Sequence, residues 1–388
     1  MPTVADFIRS TPPQSLRSYF AAIDATLPAD VVWDGAANEV VPPLIRAVDA
    51  LDDNARLRVM NDADRVGAMA DDAGQAALYA VTTAKDHLDG LENGYARALW
   101  MFLRDPAGFE RAEEVRYADD RRFGRMWDGF ECEAGLTVPR AGPAVEAFRH
   151  AIGERFDSRH VEIEICERSR PSLDSDDTGL IQVTIYREGR AGDRRVFVNG
   201  KLDRLPFRPV IEAAITYEPA NGTIEVVAQA RETREELVRL FAEHVLGAPF
   251  GGARVPVRQY QLDHLRQPFG FPTDPEDNIE AVRITLMRLM PLDAQGKRIT
   301  LECMRGCAES VWDVAADHLR AQEGWIEGYA ITQVRFTIRF RAVPGVRGSR
   351  TLPVTISMPR GCDLKDRTDR ERLIGEKHLR RWKLLRDV

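Results

Sequence analysis

The spacing of apolar residues changes near residue 158, and this change limits the folds open to the chain more than any other feature. Before it, apolar side chains recur three and four residues apart, for example over residues 16–27, which is the period of an amphipathic helix. After it, apolar and polar residues alternate, first over 161–165 and again over 181–186, which is the period of a strand. The chain must therefore combine a helical part with a part built from sheets.

Three segments follow from this change of period. Residues 1–157 are predicted to form an acidic all-α helical bundle of about six or seven short helices. Residues 158–250 are predicted to form an antiparallel β-sheet of about five strands plus one helix, with a tight hairpin at Asn199-Gly200. Residues 251–388 are predicted to form a basic α+β module with a C-terminal helix. The predicted fold class is α+β and multidomain: an all-α N-terminal helical bundle followed by two antiparallel α+β modules.

Two helix starts carry the pattern of a capping box, in which a hydroxyl residue is followed three positions later by a glutamate. Thr233 and Glu236 are predicted to begin the helix of the middle segment, which ends at Gly247. Thr368 and Glu371 are predicted to begin the last helix of the chain.

Charge is distributed unevenly along these segments. The whole chain carries 54 basic and 61 acidic residues, for a formal net charge of −7. Residues 1–157 contain 17 basic against 27 acidic residues, whereas residues 251–388 contain 24 basic against 18 acidic residues. The overall acidity excludes a wholly basic nucleic-acid binder, but the basic C-terminal segment suits an anionic partner.

Three features of the sequence predict a cytoplasmic protein. Residues 1–13 lack the basic cluster and apolar core of a secretory signal. No run approaches the roughly 18 apolar residues of a membrane-spanning helix, so we expect no membrane partner. The five cysteines are too few and too scattered for a disulfide framework.

The clearest candidate site lies on the strand that ends near residue 341. Because its apolar residues occupy alternate positions, the arginines between them are predicted to share the opposite face of the sheet. The predicted anion or nucleic-acid contacts are Arg335, Arg339 and Arg341 as the primary group, Arg283 and Arg298 as flanking contacts, and Arg380 and Lys383 as an outer fringe on the last helix.

Guanidinium groups interleaved with hydroxyls suit phosphate oxygens, because the former give paired charge-assisted bonds and the latter neutral ones. Arg347 and Arg350, on a glycine-bearing turn, and Arg372, on the last helix, extend this set. Phe336 and Phe340 point inward in this interpretation, so stacking on single-stranded bases is not expected. In the alternative interpretation the face is an ordinary solvated sheet surface, or is covered by the acidic N-terminal bundle.

An acidic loop offers a second and weaker candidate. Asp174, Asp176 and Asp177 stand at alternate or adjacent positions before Gly179, which resembles the first half of a calcium loop. The twelfth position is Ile185, where such a loop needs a bidentate glutamate. We therefore interpret the segment as a solvated hairpin loop, with a metal-dependent hydrolase or nuclease as the alternative.

Zinc ligation is a further alternative in the C-terminal segment. The residues concerned are Cys303, Cys307, His318 and Cys362. Cys303 shares parity with buried strand positions, and His318 lies at a helical spacing from apolar residues. Small core cysteines and a packed histidine are therefore the favoured interpretation, and we expect no bound metal.

The sequence contains no phosphate-binding P-loop, dinucleotide turn, zinc-protease pair or serine-nucleophile elbow. The predicted function is therefore that of a soluble, non-catalytic binding or regulatory protein without a cofactor, whose basic C-terminal sheet face engages nucleic-acid phosphate or an acidic protein surface. A protein partner is expected, and nucleic acid is a candidate partner of the C-terminal module. The alternatives are a structural or assembly subunit with no nucleic-acid role and the metal-dependent hydrolase or nuclease.

Overall fold

The computed structural model describes residues 4–23, 27, 31, 33–170, 177–198, 200–255, 258–293, 296–304, 306–307, 309–319, 326–342, 350–358 and 361–387. These residues form an α+β protein that divides into two compact units, one extending to Ala253 and the other beginning at Arg254. None of the described helices has the length and apolar character needed to cross a membrane.

The first unit contains ten α-helices and seven strands among its described residues. The helices are α1 (Val4–Ser10), α2 (Pro13–Ala22), α3 (Ala37–Asp49), α4 (Asp53–Ala70), α5 (Asp72–Val81), α6 (Lys85–Asp89), α7 (Gly94–Arg104), α8 (Pro106–Asp120), α9 (Pro143–Phe156) and α10 (Arg231–Phe241). The strands are β1 (Trp127–Glu131), β2 (Val161–Arg170), β3 (Thr178–Glu188), β4 (Gly192–Val198), β5 (Lys201–Phe207), β6 (Val210–Glu218) and β7 (Thr223–Ala228).

A strand lies within residues 1–157, where the sequence predicts helices only. β1 pairs antiparallel with β7 and forms one edge of a five-stranded sheet, in the order β1-β7-β6-β3-β2. Phe130 of β1 is fully buried in the core of this sheet. The five-residue strand is too short to show a period of its own, and its conformation depends on pairing with β7, which the local sequence does not reveal.

Both faces of this sheet are covered. One face packs against α9 and α10 through an apolar core that includes Phe148, Val183 and Phe241. On the other face, Ala118 of α8 packs against Ala214 and Val227 of the sheet. The side chains that alternate with the apolar core positions therefore point toward α8 rather than into solvent.

The predicted hairpin at residues 199–200 forms, but outside the five-stranded sheet. β4 and β5 pair only with each other, and Val198 lies opposite Lys201 across a two-residue turn. Asn199 lies outside the described residues, whereas Gly200 has a φ of +75°, which its lack of a Cβ permits. We call this two-stranded element, residues 192–207, the ribbon.

The two predicted capping boxes have different outcomes. The Thr368 hydroxyl accepts a hydrogen bond from the Glu371 backbone N–H and donates to the Glu371 carboxylate, which confirms the start of the last helix. The box at Thr233 is wrong, because its hydroxyl donates to the carbonyl of Ala230 and the helix begins two residues earlier than that threonine. A π-helical turn, Ala242–Leu246, continues α10, and Gly247 ends it in the left-handed conformation, as predicted.

The second unit contains seven strands and two α-helices among its described residues. They are β8 (Arg258–Tyr260), β9 (Ile279–Pro291), β10 (Ile299–Glu302), α11 (Val311–Leu319), β11 (Tyr329–Phe340), β12 (Thr351–Ser357), β13 (Gly361–Cys362), α12 (Asp369–Arg381) and β14 (Leu385–Asp387). β8 pairs with β14, and the remaining strands form an antiparallel sheet in the order β10-β9-β11-β12-β13. The alternating residues Val334, Phe336 and Ile338 of β11 are fully buried in its core.

Candidate anion-binding face

The outward face of the second unit's five-stranded sheet carries most of the arginines that the sequence selects. Arg283 of β9 lies opposite Thr337 of β11. On the other side of β11, Thr355 of β12 lies opposite Arg335. Arg339 follows four positions along the same strand, which places its Cα about 13 Å from that of Arg335. Arginines and hydroxyl residues are thus neighbours on this face, as the strand periodicity predicts.

Arg335 already has an acidic neighbour. Leu286 of β9 pairs with Arg335 on one side and with Glu302 of β10 on the other. The Arg335 guanidinium lies 3.4 Å from the Glu302 carboxylate, so this ion pair crosses over Leu286, which is only 3% exposed. Both charged side chains are about half exposed, at 43% and 51%. Exposed pairs of this kind contribute about 0–1 kcal/mol, so another anion can displace Glu302 at little cost.

The remaining members of the primary group are also at the surface. Arg339 donates to the Glu280 carboxylate at 2.9 Å, in a pair that is again about half exposed. Arg341 follows the end of β11 and is exposed. Arg298, one of the two flanking residues, is also exposed, just before β10. These side chains are accessible to a large anionic partner.

Sequence analysis misses Arg288, which is exposed on the same face opposite Thr300. The pairing of β9 with β11 shifts at Thr285, where a β-bulge adds one residue to β9. Beyond this bulge, Met287 points into the core and Leu286 and Arg288 point outward. A uniform alternation along β9 therefore places Leu286 on the wrong face. A bulge depends on the partner strand, and the sequence of β9 carries no signal for it.

Arg283 is less available than predicted. Its guanidinium donates to the backbone carbonyls of Cys307 and Glu309, and the residue is half buried. These bonds hold the chain before α11 against β9. To contact an external anion as predicted, Arg283 would have to give up these hydrogen bonds to the backbone.

The basic residues of α12 do not lie on the arginine face. Leu379 and Trp382 belong to the core beneath the sheet, and the Trp382 ring lies 6.1 Å from that of the inward-pointing Phe336. The C-terminal helix therefore packs against the inner face, with the sheet between it and the outward arginines. Arg380 and Lys383 are exposed in this other layer. The prediction that they form the outer fringe of the same site is wrong, because packing of the aromatic core fixes the helix on the opposite side.

The other basic residues near this module have structural partners. Arg350 donates to the Glu371 carboxylate at 2.7 Å. Arg372 is buried at 4% exposure and does not present its charge at the surface. Arg347 lies outside the described residues.

The weaker candidates gain little from the structure. Asp174 and Asp176 lie outside the described residues, and Asp177 is exposed just before β3. Cys303 follows β10 and Cys362 lies in β13, at opposite edges of the five-stranded sheet, so they cannot share one ion. Burial raises the pKa of the Cys362 thiol to about 11, as for a core cysteine. His318 is exposed on α11, contrary to the packed position that helical spacing predicts.

Asp274, Asp277 and the buried His378 form a cluster within the second unit that sequence analysis does not select. The His378 Nε2 atom lies 2.8 Å from the Asp277 carboxylate. The Lys377 ammonium lies 3.0 Å from Asp274 and 3.1 Å from Asp277, and Arg381 pairs with Asp274. Two cations thus already neutralise the two acids, which opposes the binding of a divalent cation here.

A buried layer of charged side chains lies between α8 and the sheet of the first unit, and we call it the polar layer. Arg168 of β2 donates to both carboxylate oxygens of Asp119, at 2.7 and 2.9 Å. Arg122 donates to both oxygens of Glu225 at 2.8 Å through Nε, and Arg170 reaches Asp119 and Glu225 at 3.2 and 3.3 Å. Burial alone would raise the pKa of Glu225, but Arg122 and Arg170 outweigh it and hold this pKa at about 2.

Glu114 of α8 lies in the same polar layer without a guanidinium beside it. Its carboxylate accepts hydrogen bonds from the hydroxyls of Thr184 at 3.0 Å and Tyr186 at 2.6 Å. Burial raises the pKa of Glu114 to about 7, with a smaller upward contribution from Glu164 and Glu212, against the opposing effect of the two hydrogen bonds. The polar layer is therefore one of paired charges beside one carboxyl that is easily protonated.

No protein-family model matches this chain, and a comparison with curated proteins finds no match.

Proposed function

We propose that this chain is a non-catalytic binding protein that engages nucleic-acid phosphates through the outward face of the second unit's sheet. The observation that carries this proposal is the composition of that face. The charged residues of its strands that face outward or pair with that face are four arginines, at positions 283, 288, 335 and 339, and two glutamates, at positions 280 and 302. Exposed Arg298 and Arg341 adjoin the strand ends, so the face has a local excess of positive charge on a protein whose net charge is −7. Such local excess charge attracts an anionic polymer.

The chemistry of the face favours phosphates over bases. Threonine hydroxyls at positions 300, 337 and 355 lie among the arginines, and the large aromatic side chain of Phe336 points inward. A face of this kind offers charge-assisted and neutral hydrogen bonds but no stacking platform. An acidic protein surface is the alternative partner, and an assembly role without nucleic acid is the alternative function.

The proposal includes the finer arrangement predicted from sequence. In it, the acidic helices of residues 1–157 provide partner contacts, and the basic module of residues 251–388 carries the anion-binding face. The five cysteines are unpaired, which supports a reducing cytoplasmic location.

Neutralising the primary arginines is expected to reduce the salt dependence of nucleic-acid binding. Log K falls as log salt rises, and each lost phosphate contact makes this negative slope shallower by about 0.9. The variant Arg335→Gln/Arg339→Gln/Arg341→Gln should therefore make it shallower by up to about three. The measurement is fluorescence anisotropy of labelled duplex and single-stranded DNA and RNA, titrated with the full chain between about 50 and 200 mM salt. Unchanged affinity and slope in this variant, or no binding by the wild type, would overturn the proposal.

A matched control uses the basic residues of the opposite layer. Arg380→Gln/Lys383→Asn removes two exposed charges from the same unit, and asparagine tolerates the positive φ of +58° at position 383. Because these residues lie in the helix layer, on the opposite side of the sheet from the outward arginines, we expect the salt slope of this variant to match that of the wild type. A slope reduced as strongly as in the sheet variant would mean that net charge, rather than the sheet face, governs binding.

Removing the competing carboxylates is expected to have the opposite effect. Glu280→Gln/Glu302→Gln frees Arg339 and Arg335 from their surface ion pairs and should tighten binding severalfold at low salt, since exposed pairs cost at most about 1 kcal/mol to break. The same anisotropy titration measures this change. Weaker binding would show that the glutamates position the arginines rather than compete for them.

A further inference from the structure

The ribbon is an extension of the central hairpin of the first unit. β3 and β6 pair as far as Glu188 and Val210, and the chain then continues into β4 and returns through β5. At the junction the Gly189 N–H donates to the carbonyl of Pro209 at 2.8 Å. Arg208 pairs with Glu188 at 3.3 Å beside it. The base of the ribbon is thus fixed to the sheet, whereas the seven residues of each strand extend about 23 Å beyond it.

The ribbon exposes an unusual amount of apolar surface. Among the described residues, ten large apolar side chains are exposed, and half of them lie between positions 197 and 210. Four lie on the ribbon, namely Phe197 at 77%, Val198 at 49%, Leu202 at 61% and Leu205 at 54%, and the fifth is Val210 at 69%, at the start of β6. A two-stranded ribbon of this kind is marginally stable in water, so its exposed apolar side chains are more readily explained by a partner than by folding.

The ribbon is also basic. Residues 190–208 contain six basic and two acidic residues, in contrast to the acidic helices of the same unit. Phe197 and Leu202 are a cross-strand pair beside the turn, and the next pair on that face is Arg195 opposite Arg204. Like charges directly opposite one another destabilise a pair of strands. Asp193 forms an ion pair with Arg204 and so reduces the repulsion between the two arginines only in part. An anion bound over the arginine pair would therefore stabilise the ribbon.

We propose that the ribbon is a nucleic-acid-binding arm that enters a groove of duplex DNA. Phe197 and Leu202 at its tip contact the base steps, and Arg195 and Arg204 behind them contact the flanking phosphates. Proteins that use a β-ribbon place its strands in the major or the minor groove of duplex DNA, and apolar side chains inserted between base steps kink the duplex. The arm belongs to the first unit and is a site separate from the sheet face of the proposed function.

The test measures affinity and DNA shape together. The probe is a mixed-sequence duplex of about 30 base pairs with a fluorescent donor and acceptor at its ends, titrated with the full chain at several salt concentrations. An apolar wedge kinks a duplex by about 20–90°, so the wild type should shorten the end-to-end distance. Phe197→Ala/Leu202→Ala should abolish this shortening and retain the salt slope. Arg195→Gln/Arg204→Gln should lower the slope by about two.

Two controls match these changes. Leu57→Ala/Met60→Ala removes two exposed apolar side chains from α4, at 54% and 45% exposure, and should leave both readouts unchanged. Arg9→Gln/Arg56→Gln removes two exposed helix arginines and should leave the salt slope unchanged. A single strand of the same sequence should bind more weakly than the duplex, because the tip carries one aromatic ring and no series of stacking rings.

Two outcomes would overturn the inference. One is a wild-type chain that leaves the duplex straight, or a tip variant that bends it equally. The other is a wild-type dimer, in sedimentation equilibrium without DNA, that becomes monomeric on Phe197→Ala/Leu202→Ala, which would make the tip a contact between copies of this chain. The sheet variant Arg335→Gln/Arg339→Gln/Arg341→Gln separates the two proposals. If the sheet variant binds and bends DNA like the wild type while the ribbon variants do not, the inference about the ribbon is supported and the proposed function of the sheet face is wrong.

Discussion

Replacing Glu225 with glutamine is expected to lower the free energy of unfolding of the first unit by about 3–5 kcal/mol at pH 7. Glu225 is buried at 7% exposure, and it accepts hydrogen bonds from Arg122 and Arg170. A glutamine keeps the size of the side chain but removes its charge, which leaves two guanidinium groups buried without that counterion. The cost of an uncompensated buried charge far exceeds the value of the exposed pairs on the second unit.

The sign of the pH dependence follows from the low pKa of Glu225. Its pKa of about 2 lies below the ordinary value of 4.5, so the ionised form stabilises the folded state above pH 4.5. This stabilisation is lost as the pH falls from 4.5 toward 2. The deficit of Glu225→Gln should therefore be constant above about pH 5 and should narrow in acid.

Urea unfolding at several pH values measures the total deficit, and hydrogen exchange of peptides from α8 and β7 assigns it to the first unit. Glu131→Gln is the matched control, because this glutamate is exposed on the neighbouring strand β1. We expect the control to change the free energy of unfolding by less than about 0.5 kcal/mol. A loss below about 1 kcal/mol for Glu225→Gln would show that water reaches the two arginines and solvates them.

Glu114→Gln is expected to act in the opposite direction and to stabilise the first unit at alkaline pH. The pKa of Glu114 is raised to about 7, so between pH 4.5 and 7 the folded state retains a proton that the unfolded state releases. Stability of the wild type should fall as the pH rises through this window and then level off. At pH 8 the glutamine variant should be more stable by about 2–3 kcal/mol, since each pKa unit corresponds to about 1.4 kcal/mol.

Near pH 4.5 the two proteins should have similar stability, because the wild-type carboxyl is then protonated when folded. Thermal and urea unfolding at pH 4.5, 6 and 8 measure the difference. Glu110→Gln, at an exposed position of the same helix, is the control and should show no comparable trend. A glutamine variant that is less stable than the wild type at pH 8 would mean that Tyr186 and Thr184 require the carboxylate itself.

The longer strands and their core positions are predictable from the sequence because they depend on periodicity, whereas the short strand β1 is not. The buried positions Val334, Phe336 and Ile338 of β11 follow from alternation alone. The polar layer follows the same alternation but was not predictable, because Glu225 and Arg168 have the pattern of a solvated face. These residues are buried only because α8 packs against that face of the sheet. No local sequence pattern in α8 or in the strands predicts this packing.

The candidate site shows the same limit. Arg335 and Arg339 were predicted from strand parity and do lie on the outward face. Arg288 was missed because a bulge at Thr285 reverses the parity of β9. The sequence predicts Arg380 on the same surface, because charge and periodicity do not say on which side of a sheet a helix packs. Side-chain direction within one element is local information, whereas the layer an element occupies is not.

The pairing of β1 with β7 has a consequence for the order in which the chain folds during synthesis. Glu131 leaves the ribosome about ninety residues before its partner Thr223, which at 5–20 residues per second is a delay of roughly 5–20 s. During this interval the helices from α1 to α8 are complete, but Glu114, Asp119 and Arg122 at the end of that series have no sheet to meet. In the nascent chain, β1 therefore stays unpaired and these charged side chains stay uncovered until β7 has been synthesised. The first unit can complete its fold only after that point.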